Sequence, residues 1–121
     1  MATIVVVEDQ PDNLKLISTL LTLKGHRVIG LASGEPLVDT LKAEPDVGLV
    51  LLDVQLPGRD GFQVLADARK AQGDHPWRIV ALTAHAMPGD RERALAAGFD
   101  GYMTKPIDVR TFSGDVARLL S

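Results

Sequence analysis

Residues 49–61 read LVLLDVQLPGRDG. Four apolar residues, Leu49 to Leu52, run without alternation straight into one carboxylate, Asp53. A continuous apolar run of this length predicts a strand buried on both faces, as in a parallel sheet. Pro57, Gly58 and Gly61 then force a loop and turn the chain into a new helix. Asp53 therefore falls where a buried strand ends, at the carboxyl edge of a sheet, where open α/β sheets bind their ligands. For an isolated aspartate the plain alternative is a helix or turn cap. Three other strand ends, however, carry matching chemistry.

Outward from this stretch the same alternation of elements recurs. Residues 3–7 are β-branched at every position and predict a first, fully buried strand. It ends in Glu8 and Asp9, and Pro11 with nearby acids opens a helix that runs to about Lys24, where Gly25 closes it. Residues 27–31 are a more polar second strand, nearer an edge. A second helix opens over residues 33–36, carries Leu37, Val38 and Leu41 inward, and stops before Pro45. Residues 48–52 form strand three, and the third helix starts at Asp60 and Gly61. Strand four, residues 78–82, ends in Thr83. The fourth helix, opened by residues 88–90, is rich in alanine and short of large apolar groups, which predicts the least firmly docked helix. A short fifth strand, residues 101–103, leads to Thr104, Lys105 and Pro106. A last helix over residues 108–120 places Val109, Phe112, Val116 and Leu119 on one stripe. Five strands alternating with five helices predict a parallel sheet with helices on both faces and right-handed crossovers. Two strand orders suit this count; the order 2-1-3-4-5 brings Asp9, Asp53 and Thr83 to one crevice with Lys105 beside them.

Composition sets the outer limits. At 121 residues, 45% hydrophobic and 24% charged, the chain is expected to be one ordinary globular domain over residues 1–121, with no output domain after it. A net charge of −3 without a basic stripe argues against direct nucleic-acid binding. The absence of cysteine removes disulfides, thiolate nucleophiles and thiolate metal sites from consideration. The amino terminus lacks the basic region and the long apolar run of a secretory signal, and no stretch approaches the ~18 apolar residues of a membrane span. A cytoplasmic protein is expected.

Glu8, Asp9 and Asp53 are three carboxylates expected within a few ångströms of one another. Left bare they would repel, and a hard divalent cation such as Mg²⁺ relieves that conflict. Thr83 adds a hydroxyl donor and Lys105 a positive charge. Together the parts suit phosphoryl transfer to a carboxylate, with Asp53 as nucleophile; such catalysis is mostly positioning and electrostatics. No Walker lysine is present, so a bound nucleotide is not the expected phosphate source.

The segments VVVEDQPDN (residues 5–13), LLDVQLPGRDG (51–61), ALTAHA (81–86) and GYMTKPID (101–108) occur in this order and spacing. In them the whole chain resembles a response-regulator receiver domain of bacterial two-component signalling, similar to a chemotaxis receiver. The resemblance implies a flavodoxin-like (βα)5 three-layer sandwich whose parallel sheet has the order 2-1-3-4-5. It implies that Asp53 accepts a phosphoryl group from a histidine kinase or a histidine phosphotransfer protein. Asp9, Asp53 and the carbonyl of Gln55 would hold Mg²⁺ (or Mn²⁺), with Glu8 acting through water. Lys105 would pair with Asp53 and the phosphoryl group, and the Lys105–Pro106 peptide would be cis. Thr83 and Tyr102 would form a switch: Thr83 swings to the phosphoryl group, Tyr102 turns inward, and the face made by helix four, strand five and helix five changes for a downstream protein target. Gln55 and His85 occupy positions that tune loss of the phosphoryl group. Glu8 stands where many receivers carry aspartate.

The expected function is therefore that of a phosphoacceptor signalling protein, catalysing only its own phosphorylation and dephosphorylation, as a monomer or weak phosphorylation-dependent dimer. The start at Met1 and the final helix favour a stand-alone receiver over the receiver module of a hybrid histidine kinase. An aspartyl-phosphate hydrolase would place a second acid two residues after its nucleophile, where this chain has Gln55, which cannot do acid–base work. A flavodoxin-like redox module would need a first loop rich in Ser, Thr and Gly to cradle phosphate; EDQPDN would repel one.

Overall fold

The computed structural model describes residues 2–56, 58, 60–74, 76–84 and 88–120. Strands and helices alternate: β1 Thr3–Val7, α1 Pro11–Leu23, β2 Arg27–Leu31, α2 Leu37–Ala43, β3 Val47–Asp53, α3 Gly61–Ala71, β4 Ile79–Thr83, α4 Asp90–Ala97, β5 Gly101–Thr104 and α5 Phe112–Leu120. The five strands form one parallel sheet in the order β2-β1-β3-β4-β5. Consecutive side chains of a strand point to opposite faces, and here both faces are covered, so the central strands are apolar at every core position. Val5 and Val7 join Val50 and Leu52 under α2, α3 and α4, whereas Ile4 and Val6 join Leu49 and Leu51 under α1 and α5. This two-sided burial is the physical content of the unalternated run at residues 49–52.

The register matters for function. Val7 lies opposite Leu52, Asp53 opposite Leu82, and Thr83 opposite Thr104. The three carboxyl-terminal strand ends at the centre of the sheet therefore stand level. β3, β4 and β5 each extend one residue further than the apolar pattern alone predicts, so Asp53, Thr83 and Thr104 are the last paired residues rather than the first loop residues.

α5 departs from the sequence expectation. It begins at Phe112, not near Asp108, and Val109 is 54% exposed instead of lying on the buried stripe. The Asp108 side chain accepts the Arg110 N–H (3.0 Å), while its carbonyl accepts the N–H groups of Thr111 and Phe112. These bonds close a turn over residues 108–112 that leads into the regular helix. α4 matches the expectation of light docking, with Ala94 its one buried residue and Leu95 40% exposed.

Candidate functional site

β1 hands over to Glu8, whose N–H donates to the Leu31 carbonyl (2.9 Å) and so continues the sheet by one more bond. Asp53 is the last residue of β3, and the chain beyond it is tied down by the Val54 N–H donating to Leu82 (3.0 Å). Lys105 follows β5, its N–H donating to the Thr83 carbonyl (2.8 Å), and the Lys105–Pro106 peptide is cis. Neighbouring strands of one parallel sheet thus deliver Glu8, Asp53, Thr83 and Lys105 to the same edge.

The side chains converge there. Glu8, Asp9 and Asp53 each offer a carboxylate oxygen, all within 4.8 Å of one another. The Lys105 ammonium donates to Glu8 Oε1 (2.9 Å) and to Asp53 Oδ2 (3.0 Å). Asp53 Oδ1 accepts the Gln55 N–H (2.8 Å), and Glu8 Oε2 accepts the Gln10 N–H (3.2 Å). Glu8 is fully buried, Asp53 and Thr83 are nearly so, and Asp9 is half-buried. Asp9, Asn13, Asp53, Gln55 and Lys105 line a cleft of about 460 Å³ that opens to solvent.

Burial drives the Glu8 carboxyl above its ordinary pKa; Asp53 pushes the same way, and the Lys105 hydrogen bond opposes both. Burial by itself would lower the Lys105 ammonium, but its bonds to Glu8 and Asp53 outweigh that, and it sits above its ordinary value. Lysine is therefore held charged where the carboxylates are crowded. Oxygen donors alone, three of them acidic, suit a hard divalent cation of the Mg²⁺ type. An exposed mouth, the buried Asp53 carboxylate lining it and the fixed Lys105 cation suit an incoming anionic group that must be both attacked and neutralised.

Thr83 and Tyr102 share a cavity of about 20 Å³ with Val54, Phe62, Asp90 and Arg93. The Tyr102 hydroxyl is buried and has no hydrogen-bond partner among the described residues. Its phenol is pushed up by burial, with Asp90 adding to the effect. The ring therefore occupies an inward seat in this structure. His85 lies outside the described residues. The Gln55 side chain is exposed at the mouth.

One contributor takes on a further role in the structure, and another escaped the sequence reading. Gly61 was legible as a turn glycine, yet its φ is not positive; a Cβ there would meet Val54 Cα at 2.5 Å and the Asp53 carbonyl oxygen at 2.6 Å. Glycine is needed because α3 begins against the backbone that carries Asp53. Arg69 of α3 donates to the carbonyls of Trp77 and Gly98 and to the Asp100 carboxylate (2.8 Å), which in turn accepts the Ile79 N–H (2.8 Å). It joins the start of β4 to the end of α4. Nothing local in the sequence marks an arginine for that task.

The sequence profile of the response regulator receiver domain matches residues 4–116. The sensor histidine kinase GacS of Pseudomonas protegens is 41% identical over 110 residues, which are 88% of this chain and 12% of that protein. The transcriptional regulatory protein TcrA of Mycobacterium tuberculosis is 40% identical over 106 residues, 88% of this chain and 41% of that protein. The chain thus spans about an eighth of the sensor kinase and two fifths of the regulator. Among solved structures, the BeF3-activated receiver domain of Klebsiella pneumoniae RstA superposes with a TM-score of 0.85 at 29% identity, covering 98% of this chain and 97% of that one. A response regulator receiver protein from Burkholderia phymatum gives 0.80 at 31% identity, covering 99% and 95%.

Proposed function

The chain belongs to the response regulator receiver domain family, and on that premise we propose that it is a phosphoacceptor switch whose acceptor is Asp53. The observation that carries this reading is the buried Asp53 carboxylate, held between Lys105 and the Gln55 N–H inside a group of three acids. In the proposed reaction an Asp53 oxygen forms a bond to phosphorus while the nitrogen–phosphorus bond of a phosphohistidine breaks, its electron pair passing to the imidazole. The donor is a histidine kinase or histidine phosphotransfer protein. Lys105 offsets charge on the phosphoryl oxygens, and Thr83 donates to one of them. Mg²⁺ (or Mn²⁺), held by Asp9, Asp53 and the Gln55 carbonyl with Glu8 adding a further negative charge nearby, would supply charge neutralisation for the transferred group. Gln55 and His85 are proposed to set how long the group stays.

Residues 1–121 are read as one receiver unit acting in the cytoplasm, as a monomer or weak dimer once phosphorylated. Among the described residues no helix is long and apolar enough to cross a membrane. The output face is the groove of about 640 Å³ between α4, β5 and α5, whose lining includes Leu95, Tyr102, Ile107 and Arg118. Its exposed Leu95 and loosely held α4 support a protein partner there.

The test is labelling with acetyl phosphate in the presence of Mg²⁺, read by intact mass, with beryllofluoride as a non-transferable phosphoryl mimic. Wild type should gain one phosphoryl group that hydroxylamine removes, and Asp53→Asn should gain none while keeping its fold. A stable label on Asp53→Asn would sink the assignment.

A further inference from the structure

α4 is held differently at its two ends. At the amino end Gly89 precedes the helix with a left-handed φ of +87° and no side-chain cap. Asp90 and Arg93 pair there at 3.5 Å with the arginine largely exposed, and the Arg93 guanidinium rests 5.8 Å from the centroid of the Phe62 ring. Ion pairs and cation–π contacts in exposed settings are weak. At the carboxyl end Gly98, again left-handed (φ +114°), donates its N–H to the Leu95 carbonyl (3.1 Å), and the Phe99 N–H donates to Ala94 (3.1 Å). The Asp100 N–H donates to Ile79 of β4 (2.8 Å), and the buried Phe99 meets Phe62 of α3 edge-on, with ring centroids 5.5 Å apart. Arg69 of α3 closes this end. Its guanidinium donates to the Gly98 carbonyl (2.7 Å), the Asp100 carboxylate (2.8 Å) and the Trp77 carbonyl. α3 itself is firmly seated through Val64, Leu65 and Ala68, all buried.

We infer that Arg69 is the pin about which α4 turns: it fastens the helix at Gly98 to α3 and to the segment entering β4, so that switching displaces the amino end of α4 and leaves its carboxyl end in place. The inference rests on the reading of the chain as a phosphoryl-driven switch. A guanidinium suits the task because its donors lie in one rigid fork that can serve several fixed acceptors at once. Its positive charge also stands at a helix carboxyl end, where the last carbonyls lack partners and the helix dipole is negative. Hydrogen bonds from a charged donor are the stronger ones. Elements that move in switching come from the weakly held parts of a fold, and hinges fall at the ends of elements. The groove between α4, β5 and α5 then has two halves. Arg91 rides on the moving half, while Leu95 and Asp100 stay near the pin. A partner that touches Arg91 senses phosphorylation, and one confined to Leu95 and Asp100 does not.

The experiment follows backbone amides of the full chain by NMR in wild type, Arg69→Met, Arg69→Lys and Val6→Ala, a buried truncation in β1 that controls for lost stability as such. In wild type, after correction for intrinsic rates, the amides of Phe99 and Asp100 should exchange with deuterium about a hundredfold more slowly than that of Arg93. In Arg69→Met they should exchange about tenfold faster than in Val6→Ala. With magnesium chloride and beryllofluoride, wild-type shift changes should be large over residues 90–93 and fall away towards Gly98. In Arg69→Met they should extend through Phe99 and Asp100, and in Val6→Ala they should keep the wild-type range. Unchanged exchange at Phe99 and Asp100 in Arg69→Met, or wild-type shift changes as large at Gly98 as at Asp90, overturns the inference. If Arg69→Met does not fold, Arg69→Lys is judged by the same two readouts. If beryllofluoride shifts nothing in wild type, the switch reading fails instead, and the exchange comparison alone decides whether Arg69 fastens the helix.

Discussion

Replacing Lys105 by methionine removes the cation from between two buried carboxylates while keeping an unbranched side chain of similar length. The ammonium lies 2.9 Å from Glu8 and 3.0 Å from Asp53, and the three side chains are 11%, 0% and 2% exposed. Breaking a buried ion pair by removing one partner costs about 3–5 kcal/mol, because the other charge is left uncompensated. Glu8 limits that cost by binding a proton, since burial already raises its pKa and Lys105 opposes the rise. We therefore expect a loss of about 3 kcal/mol near pH 7.5, or a fall of about 12 °C in the thermal midpoint of a domain this size. The pH dependence has a definite sign. An acid whose folded-state pKa lies above its unfolded value of 4.5 binds more protons when folded. Stability linked to it is lost as pH rises through the raised value and regained as pH falls towards 4.5. The gap between variant and wild type should therefore narrow at about pH 5. Mg²⁺ at tenfold over its dissociation constant should restore about 1.4 kcal/mol. Thermal melts at both pH values, with and without magnesium chloride, read all three effects. A shift of under about 3 °C near pH 7.5, or an identical shift at both pH values, would show that Lys105 is not the neutralising partner described here.

Gly61→Ala should destabilise by about 3 kcal/mol or more, since the new Cβ meets backbone atoms of residues 53 and 54 that cannot rotate away; urea unfolding measures it, and a loss below about 1 kcal/mol would mean that the loop yields easily. Arg69→Lys should cost about 2 kcal/mol in the same assay, because one ammonium cannot serve the Trp77 and Gly98 carbonyls and the Asp100 carboxylate together. Thr83→Ala should still be labelled by acetyl phosphate but respond poorly. One charge-assisted hydrogen bond is worth about 1.5–3 kcal/mol, a population shift of roughly ten- to a hundredfold, so NMR shift changes in α4 and β5 on phosphorylation should shrink; undiminished changes would exclude Thr83 as the relay.

Much of this protein is written in short range. The apolar run at residues 49–52 and the β-branched run at residues 3–7 identify buried parallel strands because no exposed face needs polar residues. The acids and the hydroxyl that follow those runs fall at a sheet edge for the same reason, so Asp9, Asp53, Thr83 and Lys105 were each legible as strand-end residues. The order of strands was not: two orders satisfied the pattern, and only the resemblance to receivers chose between them.

What the tertiary structure decided are the contacts between residues far apart in the chain. Glu8 and Lys105 are 97 positions apart, and that Glu8 reaches the ammonium from a buried seat depends on the register of β1 against β3 and of β4 against β5. Arg69 meets Gly98 and Asp100 across about thirty residues because α3 and α4 pack on the same side of the sheet. Gly61 is glycine for lack of room against β3's end, not for a turn angle. Even a local feature, the start of α5 at Phe112 with Val109 left exposed, was not marked by the apolar stripe. Periodicity in a sequence reports which face of an element meets the core, because burial acts on each side chain separately. Hydrogen bonds and ion pairs depend on distance and angle between particular atoms, and those are set only when the elements have been brought together.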